Sequence, residues 1–430
     1  MLVEKSIDQD NYPEWRSWAT WGCAGIFFFY QFVVRVSPSV FATEIMKELE
    51  ISACTYSAMG SIYYLSYSSV QLFVGLILDR LGVRYPLIFA SLLIFAGCMI
   101  FSYSDDVDLL FFSRFIIGVG SALGFLSCVK TASMWFSSER LGLMIGLSVM
   151  IGMAGGTCGG YPMAYLVEMV GWRQSMYILA LIAGAIVVLT FVLARDRKNP
   201  VEMHAQESEH KYSILQSLIV LVKNPQTYLY AIYGALMFVP ISVFLDVWGV
   251  KYLEMIYGVS VQKASGAASM TYVGIGASGP LLAIVTDRWR SYKKLMILGS
   301  VLSLFGFTAI IYTVLPSFAY IYPLFFVTGF ALGAQFFAFS SIVEINPRQV
   351  SATASGLQNM ANMFGSGAVL YGVGLVLDYV SDGRVDNVIS RYVVEDFHIA
   401  LSIIPASILL ACLLLVFVRE AYPKDSVVVR

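Results

Sequence analysis

The stretch Gly75-Leu-Ile-Leu-Asp-Arg-Leu-Gly-Val-Arg84 sets one carboxylate, two arginines and two glycines between two long apolar runs. In a hydrophobic chain, charges gather where helices leave the lipid, so this stretch reads as a tight turn between two spanning helices. Gly82 suits the turn, and Gly75 suits close packing of one helix on another. Asp79 is expected at a helix terminus, or paired with an arginine across the molecule so as to hold the cytoplasmic side shut. Topogenic charge alone explains Arg80 and Arg84, but not Asp79 together with both glycines.

The rest of the chain is as apolar as that reading requires. Of its 430 residues 58% are hydrophobic and 13% charged, and the mean hydropathy is +0.74. Soluble domains carry roughly 25% charged residues, so the chain is expected to be a polytopic membrane protein in contact with the bilayer. A β-barrel is excluded, because its short strands alternate apolar and polar positions and these runs do not. The net charge of −1 gives no field that would draw nucleic acid. Six cysteines stand singly in apolar runs, with no C-x-x-C or Cys/His spacing, and the three histidines lie in polar stretches. Small buried apolar residues are the expected role of the cysteines. No metal site and no cofactor is implied. The first apolar run follows a polar start and is too long for the core of a cleavable signal.

Twelve spans are expected, at about 18–43, 52–77, 85–104, 108–136, 141–168, 173–194, 226–253, 263–286, 293–314, 319–344, 352–378 and 398–418, each near the ~20 residues that cross a ~30 Å core. The fold class is all-α, two six-helix bundles, 1–194 and 226–430, with a polar cytoplasmic linker at 195–225. With both termini in the cytoplasm, eighteen of the 27 lysines and arginines fall on that side, six fall outside, and Arg35, Arg114 and Lys130 fall within the membrane. The positive-inside rule selects that orientation. The halves echo each other: Ala283-Ile-Val-Thr-Asp-Arg-Trp-Arg290 repeats the Asp-Arg turn through Asp287 and Arg288, although without its glycines.

These motifs together carry a resemblance. Gly75–Arg84, Arg114-Phe-Ile-Ile-Gly-Val-Gly-Ser-Ala122 and Gly171-Trp-Arg173 resemble sequence elements of the major facilitator superfamily of transporters, over the whole length of the chain. Arg35-Val-Ser-Pro38, Trp248-Gly-Val-Lys-Tyr-Leu253, Val343-Glu-Ile-Asn-Pro347 and Ala354-Ser-Gly-Leu-Gln-Asn-Met-Ala-Asn362 resemble a bacterial group that includes nutrient transporters of intracellular pathogens. The resemblance implies the major facilitator fold, no enzyme activity, a bacterial inner membrane and an interhelical or proton-coupling role for Arg114. Drug/proton antiporters usually carry a proline within the glycine run of the fifth span. Here Gly152-Met-Ala-Gly-Gly-Thr-Cys-Gly-Gly160 is followed by its only proline, Pro162, which argues against drug efflux. Close packing of small residues explains these glycines.

Ionisable groups at membrane depth face a cavity or a partner. Arg35 lies about eight residues, ~12 Å, inside the outer end of the first span, with Gln31 one turn earlier and Pro38 set to break the helix. A guanidinium there suits a substrate carboxylate or phosphate; a structural ion pair is the alternative. Lys130, sixteen residues beyond Arg114, points about 160° away from it on a straight helix, and serves either as a substrate ligand or as an interface anchor. Tyr63, Tyr67 and Gln71 form one stripe on the second span, with Tyr64 alongside, and Gln358, Asn362 and Ser366 another on the eleventh, with Asn359 beside it. Each suits a substrate cavity or, in turn, an interface belt or interhelical hydrogen bonding. Asp246 in the seventh span suits a proton carrier, a ligand for a substrate amine, or pairing with a neighbouring helix. Glu344, at the cytoplasmic end of the tenth span, suits a gate or surface position.

The expectation is a secondary transporter working as a monomer by alternating access around a midplane site. An amino acid or related carboxylate-bearing nutrient, taken up with protons, fits cations in the first half and an acid in the second. Efflux of a drug or siderophore, and a receptor that binds without transport, are the alternatives.

Overall fold

The computed structural model describes residues 13–196, 214–381 and 392–422. The linker from 197 to 213, residues 382–391 and both chain ends, with eight of the cations counted above, lie outside the described residues. Eleven described helices are long and apolar enough to cross a membrane. One of them, Ser138–Leu193, has 56 residues, about 84 Å of helix and too long for a single ~30 Å core. Gly171 divides it, at φ 79° and ψ 165°, a conformation open in practice to glycine alone. The result is the twelve spans expected from the sequence, in the all-α two-bundle arrangement.

The spans are Trp15–Glu48, Ala53–Leu81, Arg84–Tyr103, Val107–Trp135, 138–170, 172–193, Pro225–Tyr257, Val261–Trp289, Tyr292–Tyr312, Phe318–Glu344, Ser351–Val380 and Val394–Phe417. A further helix, Ile214–Lys223, precedes the seventh. Polar residues start several spans by accepting from otherwise unpaired backbone N–H groups. Ser52 takes Thr55 N, Ser260 takes Lys263 N and Ser291 takes Lys294 N. The second and eighth spans are copies in register. Both have 29 residues, and their starts, capping serines and Asp-Arg pairs are each offset by 208 positions. The turn at Arg80–Arg84 is therefore a true repeat, although its twin has lost both glycines.

Two helices are interrupted beside the centre. In the first span Pro38 has no N–H for the Val34 carbonyl, and the Ser37 hydroxyl donates to that oxygen instead, at 3.1 Å. The first span thus continues past Pro38 to Glu48, with a local break rather than an end. In the seventh, Pro240–Trp248 is a π-helix, which shifts the faces of the residues it carries, Asp246 among them.

Below, the end bearing the Asp-Arg turns is called inner and the opposite end outer. Among the described residues, polar contacts join the first six spans to the last six near the outer end. Cys54 N donates to Asp378 Oδ2 at 3.1 Å, Ala53 N to Tyr392 Oη at 2.8 Å, Trp248 Nε1 to Ser57 Oγ at 3.0 Å, and Gln262 Nε2 to Glu168 Oε2 at 2.7 Å. The second and eleventh spans separate progressively below this level. A methyl added at Gly374 would stand 2.8 Å from the Ala53 carbonyl oxygen, at Gly367 3.1 Å from that of Ser61, and at Gly356 3.8 Å from that of Gln71. At Gly75, one turn further inward, it would meet nothing within 4 Å. The fifth and eighth spans part likewise, from Gly160, where a methyl would lie 2.5 Å from Ser269 Oγ, to Gly279, where nothing lies within 4 Å. Both seams are closed outside and open inside, an inward-facing conformation. The close packing expected of Gly75 is therefore not made here, because its face belongs to the open end of the seam.

Candidate functional site

The buried centre is built on Asp246. Its Oδ2 lies 2.9 Å from Arg35 Nε, with side chains 1% and 4% exposed, an ion-pair separation without the alignment of a hydrogen bond. Tyr64 donates to Oδ2 and Tyr272 donates to Oδ1. One carboxylate thus joins the first, second, seventh and eighth spans, and links the two halves. Arg35 also lies over Phe32, with Cζ 4.3 Å from the ring centroid, and 5.4 Å from that of Phe238. Aromatic faces stabilise a guanidinium where water does not reach.

The first span can carry this group because the fifth packs directly on its backbone. A methyl added at Gly155 would lie 2.2 Å from the Phe29 carbonyl oxygen, and at Gly159 2.8 Å from that of Val33. The Gly152–Gly160 run is a contact surface for the helix that holds Arg35. In the same way, a methyl at Gly118 would lie 2.4 Å from the Tyr63 carbonyl oxygen, so the first glycine of the Arg114 motif seats the fourth span against the tyrosine stripe.

The structure brings together Gln31, Arg35, Tyr63, Tyr64, Tyr67, Asn359, Arg114 and Asp246. Tyr63 donates to Gln31 Oε1 at 3.3 Å, and Asn359 Nδ2 donates to Tyr67 Oη at 3.4 Å across the seam. Arg114 stands over Tyr63, its Cζ 4.8 Å from the ring centroid. Gln71 is buried, and both its amide atoms lack partners. Gln358 and Asn362 turn elsewhere. Gln358 Nε2 donates to Asn362 Oδ1 at 2.9 Å and to Ala231 O at 3.4 Å, so the pair ties the eleventh span to the seventh within one half.

Lys130 is not at this centre either. Its Nζ lies 2.9 Å from Asp79 Oδ1, an ion pair at the inner end whose Asp79 side is 58% exposed. The fourth span is interrupted at Ala122 and Leu123 between Arg114 and Lys130. Asp79 was expected at a helix terminus or against an arginine of the other half. It stands in the last turn of the second span, and its partner is a lysine of the same half. Arg84 binds within its own half too, donating from Nη2 to Phe191 O at 2.6 Å. Arg80, Asp287, Arg288 and Glu344 are exposed at the inner end.

Tyr272, Trp248 and Asp196 are functional candidates that residue-by-residue reading passed over. Asp196 accepts from Val83 N at 2.6 Å and Arg84 N at 3.1 Å, filling the concavity left by Gly82 at φ 73°. Tyr272 had a signal. It stands fifteen residues before Asp287, as Tyr64 stands fifteen before Asp79.

Twelve spans in two bundles, with a buried charge pair bridging the halves, define a membrane protein of the alternating-access transporter type. The family model of the Major Facilitator Superfamily matches residues 23–370, and the chain belongs to that family. An uncharacterized transporter, YybO of Bacillus subtilis, is 28% identical over 182 residues, covering 42% of this chain and 41% of the relative. The probable sulfoacetate transporter SauU of Cupriavidus necator is 22% identical over 162 residues, 38% of each. The chain thus spans about two fifths of the length of these two relatives. Among solved structures, a bacterial homolog of the human lysosomal transporter Spinster, inward-facing and unoccupied, superposes with a TM-score of 0.73 at 15% identity, over 94% of this chain and 98% of that one. That likeness is one of fold.

Proposed function

We propose that the protein is a secondary active transporter that carries a small carboxylate-bearing organic solute, an amino acid or a related nutrient, into the cell with protons. The observation that carries this reading is the buried Arg35–Asp246 pair across the two halves. A solute carboxylate can replace Asp246 on the Arg35 guanidinium, whose planar fork matches it. A proton taken up by Asp246 removes the competing charge and frees Arg35 for the solute. Tyr64 and Tyr272, already donating to Asp246, hold the carboxyl group in place through the exchange. Sulfoacetate, the solute in the name of the Cupriavidus relative, is an anion of this kind.

In this reading the halves 1–194 and 226–430 rock as units about the 195–225 linker. The protein works as a monomer in a bacterial inner membrane, with both termini in the cytoplasm. The Asp79–Arg84 turn and its Asp287–Arg288 twin gate the inner end, and Lys130 anchors Asp79 there. The solute is found by thermal-shift screening of the purified protein against amino acids, organic acids, nucleosides and peptides, since a ligand that binds the native state stabilises it by mass action. Uptake of the hit into proteoliposomes then tests transport. Stabilisation confined to cationic drugs would contradict the reading.

A further inference from the structure

A second guanidinium is buried beside the Arg35–Asp246 pair, and no acid meets it. Arg114 is 4% exposed. Among the described residues it makes no hydrogen bond and no ion pair, and its Nη1 is buried without a partner. The described Asp, Glu, Lys and Arg side chains that are more than nine-tenths buried are Arg35, Arg114, Asp246 and Asp396. Asp246 is taken by Arg35, and Asp396 caps the start of the last span by accepting from Val393 N at 3.0 Å. One positive charge in the middle of the protein is left over. A buried charge without a counter-charge is costly in lipid, and such positions mark binding sites and pathways.

Arg114 also has a space in front of it. It lines a cavity of about 10 Å³ with Pro38, Tyr56, Met59, Gly60, Phe101 and Val247, room for about one water. All but one of these residues come from the first four spans. Val247, from the seventh, closes the cavity at the seam between the halves. A methyl added at Gly60 would lie 3.5 Å from Val247 Cγ2 and 2.7 Å from Leu370 Cδ2. Arg114 is seven residues into the fourth span from its outer end at Val107, a rise of about 10 Å, and one turn outward of Gly118, which packs at the level of Tyr63. Parting of the outer seam would carry Val247 and Leu370 away with the second half and leave Arg114 facing the outer vestibule.

We propose that Arg114 forms an anion-binding subsite on the outer side of the Arg35–Asp246 pair, which takes the oxyanion group of the incoming solute before the outer seam closes over it. Its five N–H donors match a carboxylate or another planar or tetrahedral oxyanion, and that anion supplies the charge the centre lacks. Tyr63, stacked under Arg114 and bonded to Gln31, lies between this subsite and Arg35. The direction of approach rests on the transporter reading above; anion binding at Arg114 stands without it.

The test uses the full chain in lipid nanodiscs, with acetate and sulfate titrated at constant ionic strength and thermal unfolding as the readout. Wild type and Lys263→Gln, an exposed substitution at the outer end, are expected to be stabilised alike. Arg114→Met is expected to lose at least about tenfold in apparent affinity, and Arg114→Lys, which keeps the charge without the fork, to lose less. Equal affinity in wild type and Arg114→Met overturns the subsite, as does a wild type that neither anion stabilises. Should Arg114→Met fail to fold, phenylglyoxal labelling of wild type decides: acetate or sulfate slows modification of Arg114 and leaves Arg173 unchanged, and equal labelling with and without anion overturns the proposal. Arg114-dependent anion binding without proton coupling would keep the subsite and contradict symport. Proton-coupled uptake with anion binding indifferent to Arg114 would remove the subsite alone.

Discussion

Tyr64 and Tyr272 occupy equivalent positions in two repeated helices and donate their hydroxyls to opposite oxygens of a single carboxylate, Asp246. The acid belongs to neither repeat position, so the duplication supplies a symmetric clamp around an asymmetric group. A hydrogen bond to a charged group contributes about 1.5–3 kcal/mol. Tyr64→Phe and Tyr272→Phe are therefore expected to lower stability by similar amounts in thermal unfolding of the purified protein. A loss from one substitution and none from the other would show that the clamp is not symmetric.

The Arg35–Asp246 pair should behave as a unit. Removing one partner of a buried pair costs about 3–5 kcal/mol, because the other charge is left uncompensated. Arg35→Met and Asp246→Leu are each expected to destabilise by about that much, and the double variant by clearly less than their sum. Additive losses in such a cycle would mean that the two side chains do not depend on each other.

Glycines along the seam between the second and eleventh spans predict opposite effects at its two ends. Gly374→Leu places a side chain where a methyl already stands 2.8 Å from the Ala53 carbonyl oxygen, and should hold the outer seam open. Gly75→Leu meets open space in this conformation, so the inward-facing protein should tolerate it while closure of the inner end is obstructed. Labelling of single cysteines from the two sides of the membrane separates the cases. Outer accessibility should rise in Gly374→Leu and inner accessibility in Gly75→Leu; the same pattern in both would contradict the seam geometry.

The turn at Gly82 is held by Asp196, just past the end of the sixth span. Gly82→Ala needs a left-handed φ and puts its methyl 2.4 Å from the Asp196 carboxylate, so it should destabilise by about 1–2 kcal/mol. Asp196→Ala leaves the Val83 and Arg84 amides without their acceptor, at a cost of about 1 kcal/mol. Thermal unfolding of both variants and of the double checks this. Losses that add would contradict a shared role.

Much of this architecture was legible in the chain. Span lengths, the glycine at 171 and the Asp-Arg turns carry the fold because lipid imposes helix length and backbone closure on any spanning segment. Arg35 and Asp246 stood out separately as charges at membrane depth. Their pairing did not, since they lie on helices far apart in sequence and the π-helix at Pro240–Trp248 shifts the face on which Asp246 falls. A straight-helix count separated Lys130 from Arg114, but did not show that Lys130 reaches Asp79. On the eleventh span it is Asn359, beside the stripe, that bonds to a tyrosine of the second span, while Gln358 Nε2 donates to Asn362 within the stripe. Gly75 reads as a packing residue in any sequence, and its open surroundings depend on which state the protein is in.

The most direct test of proton-coupled transport through Asp246 is a paired measurement in proteoliposomes, with labelled solute and an internal pH dye read in the same vesicles. For the solute identified by screening, the account predicts that wild type takes up solute and protons together and that collapsing the proton gradient abolishes accumulation. Asp246→Asn should bind the solute without accumulating it against a gradient. Accumulation by Asp246→Asn equal to wild type, with the proton gradient imposed, would contradict the account.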